Sequence, residues 1–396
     1  DSPLFPIPGK TNAAVSRHGN GFNSSLVVVG MHDRIKKLPA TGSNVKQPNR
    51  ITISNIAELA GVSKATASLV LNGKGDEYRV SEETQQRILS IAEEHRYQPS
   101  FHARALRSSR SHTIGLVLPF LTQFTNASLA RELESLFRNA GIQIIIACSD
   151  EDPEQERLVV NNLLQRQVDG LIVISSNTSD EAYSKIHSYV PVVQLGRQIG
   201  DSSLPLIMTD AESSTANLIR VLATQHSDEI YYFGGEPSLT PSKQRLAGYI
   251  TGLRQANVPQ QASWVRQRTF FSYSGYDMME ELCNELGRAP KALFTASFSL
   301  LEGVLQYLNQ NPEMQQGLHL ASFDDHELLD FMPLRIDSIA QDYTALAFNA
   351  FTMLMALMED KPLLPPAMQT IPARIRWRNP ESRRLSKLIA TEFLHK

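Results

Sequence analysis

From Thr113 onward the sequence alternates between short apolar runs and longer segments with apolar residues at helical spacing. Repeated strand–helix units of this kind imply parallel sheets with helices on both faces. There are more strands than one sheet holds comfortably, which predicts an α/β core of two lobes. The expected strands are 114–118, 142–148, 170–174, 190–195, 206–209, 229–233, 292–295, 319–323 and 371–375. The expected helices are 127–140, 153–167, 213–225, 242–256, 276–286, 300–310 and 343–359.

Polar residues that directly follow the expected strands are the candidates for a ligand site. In such folds ligands bind outside the carboxyl ends of the strands, so two lobes that face each other there form a hinged cleft. A sugar needs hydrogen bonds from arginine and carboxylate groups, often beside an aromatic face. A strand-end Ser or Asp can equally cap a helix, and an arginine can equally form a structural salt bridge. The residues at these strand ends are Ser149, Asp150, Ser175, Ser176, Gly196, Arg197, Ser297, Phe298, Asp324 and Asp325. Of these, Ser149, Asp150, Arg197, Ser297, Phe298 and Asp324 are the effector-site candidates.

Residues 51–97 show a different pattern, that of three short helices. Thr52 and Ser63 are plausible N-caps of the first two helices, which Gly61 and Gly73 end. Two short helices joined by a turn that contains glycine match the helix-turn-helix unit. A third helix is expected to follow Ser81. The apolar residues at helical spacing are Ile53, Ile56, Ala57, Ala60, Ala67, Val70, Leu71, Ile88, Leu89, Ile91 and Ala92.

The second of these helices has the features of a DNA-recognition helix. Its outward residues near the N-terminus are small or polar, and this is where a recognition helix contacts base edges. Lys64 can reach guanine or a phosphate, and Ser68 can reach a base or a backbone oxygen. No acidic residue lies between Glu94 and Glu132, whereas several arginines do. A local positive stripe beside a helix-turn-helix favours DNA contact over the alternative, a three-helix domain that merely packs.

The segment ITISNIAELAGVSKATASLVLNG (51–73) resembles the head of the LacI family of bacterial repressors, and the likeness runs on to about Trp377. The stretches KGDEYRV (74–80), QRQVDG (165–170), ALFTASF (292–298) and SFDDH (322–326) are most similar to the sucrose and fructose branches of that family. The resemblance implies a periplasmic-binding-protein-like core whose chain crosses between the lobes near Thr209, Asp337 and Pro366. It also implies a homodimer that binds palindromic operator DNA.

The linker between head and core is expected to act as a switch. Pro99 permits a new helix, but about eight residues are too few for a helix that is stable alone in water. The resemblance implies paired hinge helices whose leucine wedges into a minor-groove base step, as apolar side chains do when they kink DNA. The matching residue is Leu106, with His102 and Ala103 beside it. A solvated linker is the alternative.

The resemblance also implies a set of site residues. The implied DNA-binding residues are Thr52, Ser63, Lys64, Ala65, Thr66, Ser68, Asn72, His102, Ala103 and Leu106. Arg197 and Asp324 match family positions that contact the effector, and Arg245 and Gln341 are weaker matches. The resemblance implies fructose or fructose 1-phosphate as the effector. The residues leave both open, because an arginine suits a hydroxyl and a phosphate alike.

The observations together divide the chain into five parts. Residues 1–49 lack periodicity and are expected to be a disordered extension, with a basic arm as the alternative. A helix-turn-helix head (50–98), a hinge helix or linker (99–111), a two-lobed core (112–378) and a tail (379–396) follow. The N-lobe is expected to hold residues 112–209 and 338–365, and the C-lobe residues 210–337 and 366–378.

Several classes of protein are excluded by composition and motifs. Only Cys148 and Cys283 are cysteines, which rules out a disulfide framework or a multi-cysteine zinc site and is typical of a reducing cytoplasm. No apolar run reaches about 18 residues, so no membrane span is expected. The P-loop, G-x-G-x-x-G, H-E-x-x-H and G-x-S-x-G signatures are all missing, so we expect neither an enzyme nor a cofactor or metal.

The interpretation that unites these features is a sugar-responsive repressor of a sucrose or fructose utilisation operon. A repressor that also activates transcription is a variant of it. A sugar-binding transport protein would have an export signal and no DNA-binding head, which is the reverse of the pattern seen here.

Overall fold

The computed structural model describes residues 51–97, 110–361 and 368–394, and the chain divides into two compact units after Gln98. The predictions for residues 1–49, and for most of the linker (His102, Ala103 and Leu106 included), fall outside the described residues. None of the described helices is both long and apolar enough to span a membrane.

The first unit is the three-helix head. It consists of α1 (Ile53–Leu59), α2 (Lys64–Leu71) and α3 (Glu82–Glu94). Thr52 and Asn55 form a capping box at α1, and the Oγ of Ser63 accepts a hydrogen bond from the Thr66 N–H at 3.0 Å. The buried core of the head is Ile56, Ala60, Val70, Ile88 and Ala92. Leu89 was grouped with the apolar residues but is 50% exposed, because one residue along a helix turns the side chain away from the face of Ile88.

The N-lobe of the second unit contains the strands β1 (Thr113–Leu118), β2 (Gln143–Cys148), β3 (Gly170–Val173), β4 (Val192–Leu195), β5 (Leu206–Thr209) and β11 (Met368–Ile371). Its helices are α4 (Phe124–Asn139), α5 (Pro153–Gln165), α6 (Glu181–His187) and α11 (Tyr343–Met358). The strands form one parallel sheet in the order β11-β5-β4-β3-β1-β2. Helices α4 and α11 cover one face with the cluster of Leu133, Phe137 and Leu354, and α5 and α6 cover the other with Val160, Leu163 and Tyr183.

The C-lobe contains the strands β6 (Tyr231–Gly234), β7 (Val265–Gln267), β8 (Ala292–Thr295), β9 (His319–Phe323), β10 (Asp337–Ala340) and β12 (Arg374–Arg376). They form a second six-stranded sheet in the order β12-β10-β9-β8-β6-β7, in which only β12 runs antiparallel to its neighbour. Its helices are α7 (Ala211–Gln225), α8 (Thr240–Gln255), α9 (Ser272–Leu286), α10 (Phe298–Gln310) and α12 (Pro380–Leu394), with 3-10 turns at Ala262–Trp264, Pro312–Gln315 and Glu327–Asp330.

Helices α7 and α8 pack closely because of two glycines. A Cβ at Gly248 would lie 2.5 Å from the backbone oxygen of Glu212, and one at Gly252 would lie 2.7 Å from that of Ala216. A larger residue at either position would push α8 away from α7, because the nearest atoms belong to the α7 backbone.

The predicted α/β class, with two lobes of largely parallel sheet that follow an all-α head in the sequence, is confirmed. The first crossing between the lobes follows Thr209, as expected, but the other two fall later. β10 belongs to the C-lobe sheet, so the chain returns after Ala340 rather than near Asp337. β11 belongs to the N-lobe sheet, so the last crossing follows Ile371 rather than Pro366.

The reason for the late final crossing is a proline. The run 371–375 was expected to be one strand, but it contains Pro372, which has no N–H to give to a sheet ladder. The proline separates the end of β11 from the start of β12, and the two pieces join different sheets. Strands β7 and β10 and helix α6 were not expected at all.

Candidate functional site

Residues that follow strands of both sheets line one cleft between the lobes of the second unit. The cleft encloses about 760 Å³, including its opening to solvent. Six of the eight residues predicted for the effector site are on its wall, and these are Arg197, Arg245, Ser297, Phe298, Asp324 and Gln341. The structure therefore brings together side chains that lie up to 144 positions apart in the sequence (Arg197 to Gln341).

The structure does not bring Ser149 and Asp150 to the cleft wall. Ser149 is fully buried, and its hydroxyl shares a hydrogen bond of 3.3 Å with that of Ser176. Asp150 is exposed, and both it and Glu151 have positive φ angles, 53° and 60°. This turn directs Glu151, rather than Asp150, toward Arg197.

Arg197 follows β4 and is held by its own lobe. It forms a two-pronged salt bridge with the carboxylate of Glu151, and its Nη1 also donates to the Ser175 carbonyl at 3.4 Å. The side chain is 11% exposed and still lines the cleft. The two roles that the sequence left open for Arg197, ligand and salt-bridge partner, are thus compatible in one side chain.

Asp324 lines the cleft and links the C-lobe to the segments where the chain crosses between the lobes. It follows β9 with a φ of 72°, and its Oδ2 accepts a hydrogen bond from the Phe298 N–H at 3.4 Å, at the start of α10. Its Oδ1 accepts from the Gln341 amide at 2.6 Å, and the Gln341 carbonyl oxygen accepts from the Thr209 hydroxyl. Thr209 and Gln341 lie where the chain crosses between lobes. Ser297 caps α10, because its Oγ accepts from the Leu300 N–H at 3.2 Å.

Arg245, on α8, supplies the second guanidinium of the cleft. Its Nη1 donates to the Ala296 carbonyl at 2.5 Å, and the guanidinium carbon lies 3.8 Å from the centre of the Phe323 ring. Burial lowers the pKa of Arg245, while the charge of Asp324 opposes that shift. An arginine stays protonated even so, and a cation over an aromatic face is a stable arrangement.

Sequence reasoning predicted Phe298 but missed Phe124 and Phe270, which also line the cleft, and the neighbouring rings of His326 and Tyr343. Phe124 of the N-lobe lies 4.4 Å from the ring of His326 and 6.1 Å from that of Phe298, both in the C-lobe. Tyr343 lies 6.0 Å from Phe124, and burial raises the pKa of its hydroxyl. Phe124 is apolar and begins α4 six positions after the end of β1, so the strand-end rule used for the other candidates does not cover it. Phe270 follows β7, a strand that was not expected.

Five of the seven residues predicted to bind DNA within the described head are exposed, but three of these five use their side chains in hydrogen bonds within the head. Thr52 and Ser63 use their hydroxyls as caps, and the Asn72 side-chain amide donates to the Ser68 carbonyl at 2.5 Å. Lys64 and Ala65, at the start of α2, are exposed, whereas Thr66 and Ser68 are partly buried. The side chains best placed for a major groove are therefore those of the first turn of α2.

Comparison with known proteins agrees with this arrangement. Residues 52–100 match the model for bacterial regulatory proteins of the lacI family, and residues 219–379 match a periplasmic binding protein-like domain. The chain is 52% identical to the sucrose operon repressor of Klebsiella pneumoniae over 331 residues, which cover 84% of this chain and 99% of that protein. It is 35% identical to the fructose operon regulatory protein of Vibrio cholerae over 315 residues, 77% of this chain and 93% of the other.

A solved structure is similar as well. The Cra transcriptional dual regulator from Pseudomonas putida, in complex with fructose 1-phosphate, is 28% identical with a TM-score of 0.63, over 68% of this chain and 99% of that one. The head, the two-lobed core and a relative 52% identical over nearly its whole length show that this chain belongs to the LacI family of bacterial regulatory proteins.

Proposed function

We propose that this protein is a homodimeric repressor of a sucrose or fructose utilisation operon, released from its operator by a fructose-type sugar. The observation that carries the proposal is the presence, in one chain of this family, of a DNA-binding head and a polar cleft lined from both lobes. The high identity with a sucrose operon repressor favours that operon over the global role of the Cra-like relatives, which are about 31% identical.

The chemistry of the cleft supports a sugar as the effector. Arg197 and Arg245 offer donors to hydroxyl or phosphate oxygens, and Asp324 and Gln341 offer acceptors to sugar hydroxyls. Phe298 supplies an aromatic face on the same wall. The proposed effector is accordingly fructose, free or as its 1-phosphate.

The chemistry of the head supports operator DNA as the macromolecular partner. The exposed first turn of α2 fits the major groove, and a two-fold symmetric dimer would read a palindromic site. We place the protein in the bacterial cytoplasm, where such an operator lies. Effector binding would lower operator affinity by a coupling free energy of about 1–3 kcal/mol, or about 5- to 150-fold.

The test is a titration of the full-length chain with fructose, fructose 1-phosphate and sucrose by calorimetry. Operator affinity is measured by fluorescence anisotropy with and without each sugar. We expect fructose or its 1-phosphate to bind and to weaken the operator complex within the range above. Binding of neither compound, or binding that leaves operator affinity unchanged, would contradict the proposal.

A further inference from the structure

A carboxylate that does not line the cleft lies at the centre of a buried hydrogen-bond cluster behind it. Glu156, in the first turn of α5, has no exposed surface. It accepts hydrogen bonds from the Ser175 hydroxyl (2.5 Å), the Ser176 N–H (2.7 Å), the Asn177 side-chain amide (2.7 Å) and the Tyr183 hydroxyl (2.6 Å). Among the described residues no Lys, Arg or His forms an ion pair with it.

A buried carboxylate without a cation is costly, and only a full set of donors offsets the loss of hydration. Here three of the four donors come from consecutive residues shortly after β3 (175–177), and the fourth comes from α6. Glu156 therefore fixes the chain where β3 ends, at the edge of the sheet that faces the cleft. Tyr183 shares this buried environment. Burial and the adjacent Glu156 raise the pKa of its hydroxyl well above its ordinary value.

This cluster connects to Arg197 by two routes. The Ser175 carbonyl, on the segment that Glu156 holds, accepts the hydrogen bond from Arg197. The Ser176 hydroxyl meets that of Ser149, two residues before Glu151, whose carboxylate pairs with Arg197. Both protein groups to which Arg197 donates thus lie on segments that Glu156 helps to fix.

We propose that Glu156 is a positioning residue for the effector site, which sets the orientation of Arg197 without contacting the effector. The inference rests on the proposed function of the cleft as a fructose-type effector site. Because the side chain of Glu156 is enclosed by α5, α6 and the end of β3, its effect on the effector must pass through the groups that it holds.

The variant that tests this is Glu156→Gln, which keeps the shape of the side chain but turns one acceptor into a donor. Either the Ser176 N–H or the three donors on Oε1 then face an N–H₂ group. We expect affinity for fructose or fructose 1-phosphate to fall about tenfold, as one charged hydrogen bond is weakened, while operator affinity without effector stays within twofold. The matched control is Glu229→Gln, a buried carboxylate of the C-lobe held by Arg288, which should leave effector affinity unchanged.

A second measurement separates positioning from a general structural role. In an Arg197→Ala background, Glu156→Gln should cause no further loss of effector affinity, because the residue through which it acts is gone. The same tenfold loss in both backgrounds, or full affinity in the single variant, would overturn the inference. If Glu156→Gln does not fold by circular dichroism, Tyr183→Phe removes one donor and takes its place, with the same two criteria.

Sugar binding by the parent protein distinguishes a failure of this inference from a failure of the proposed function. If the parent binds neither sugar, the proposed function fails and this inference fails with it. If the parent binds and the variant binds equally well, only the role of Glu156 is refuted.

Discussion

Replacing Arg197 with alanine separates effector recognition from DNA binding. Arg197 is 11% exposed and already held by Glu151 and the Ser175 carbonyl, so its guanidinium is preorganised toward the cleft. A hydrogen bond from a charged donor contributes about 1.5–3 kcal/mol when its partner is withdrawn from water. Arg197→Ala should therefore weaken binding of fructose or fructose 1-phosphate by about 10- to 150-fold.

The same change should cost little stability and no operator affinity. Glu151 loses its partner, but its side chain is 27% exposed and remains hydrated, so we expect a stability loss of about 1 kcal/mol. Arg254→Ala is the matched control, because Arg254 is an exposed arginine outside the cleft lining. The assays are calorimetry for the sugar and fluorescence anisotropy for operator release. Release of Arg197→Ala at the sugar concentrations that release the parent would refute the assignment.

Four further predictions address the head, the linker, the phosphate question and the C-lobe. Leu106→Ala should weaken operator binding strongly and leave sugar affinity intact. An operator affinity that anisotropy finds unchanged would contradict the proposal that Leu106 inserts into the minor groove. Lys64→Ala should lower operator affinity and, if Lys64 contacts a phosphate, reduce the salt slope by about 1; a slope equal to the parent's removes that role. Glu151→Gln removes the carboxylate that competes for Arg197, so by calorimetry it should favour fructose 1-phosphate over fructose relative to the parent; an unchanged preference argues against Arg197 as the phosphate ligand. Burial and the neighbouring His319 hold the pKa of His226 at about 4, below its ordinary 6.5. As pH falls, His226 is therefore protonated in the unfolded chain before it is protonated in the folded protein. Allowing for the partial exposure of His226, about 1 kcal/mol of stability should be lost as pH falls from 6.5 toward 4. In thermal denaturation, the stability of His226→Gln should not fall in this way between pH 6.5 and 4. The same dependence of stability on pH in the variant and the parent would contradict the role of His226.

Much of the fold was predictable because most strands are buried on both faces. A parallel strand covered by helices on each side reads as a continuous apolar run, as β3 and β8 do. β10 was not predicted, because its first two residues, Asp337 and Ser338, are polar and interrupt the apolar run. The carboxylate of Asp337 accepts hydrogen bonds from the backbone N–H groups of Arg378 and Asn379, which lie more than 40 residues away. Partners so distant in the sequence leave no local pattern by which β10 could be predicted.

Only the site residues that directly follow a strand could be predicted from the residue pattern. Asp324 and Ser297 follow buried strands, so their positions at the cleft follow from topology alone. The pairing of Arg197 with Glu151 depends instead on two consecutive residues with positive φ, which neither an Asp nor a Glu signals in sequence. The contact of Phe124 with His326 depends on how the two lobes lie, which is a property of the folded core.

The polar groups of the cleft divide into two kinds, according to where their partners lie. Those of Arg197 belong to the N-lobe alone, so a sugar that binds Arg197 gains affinity without favouring either arrangement of the lobes. Asp324, in contrast, is bonded to Gln341, and Gln341 to Thr209, at two of the points where the chain crosses between lobes. An effector shifts a conformational equilibrium only through its different affinities for the two states. A hydroxyl that replaces the bond between Asp324 and Gln341 changes the contacts that join the lobes. On the proposed function, we therefore expect Arg197 to set how tightly the sugar binds, and Asp324 and Gln341 to set how far binding shifts the lobes.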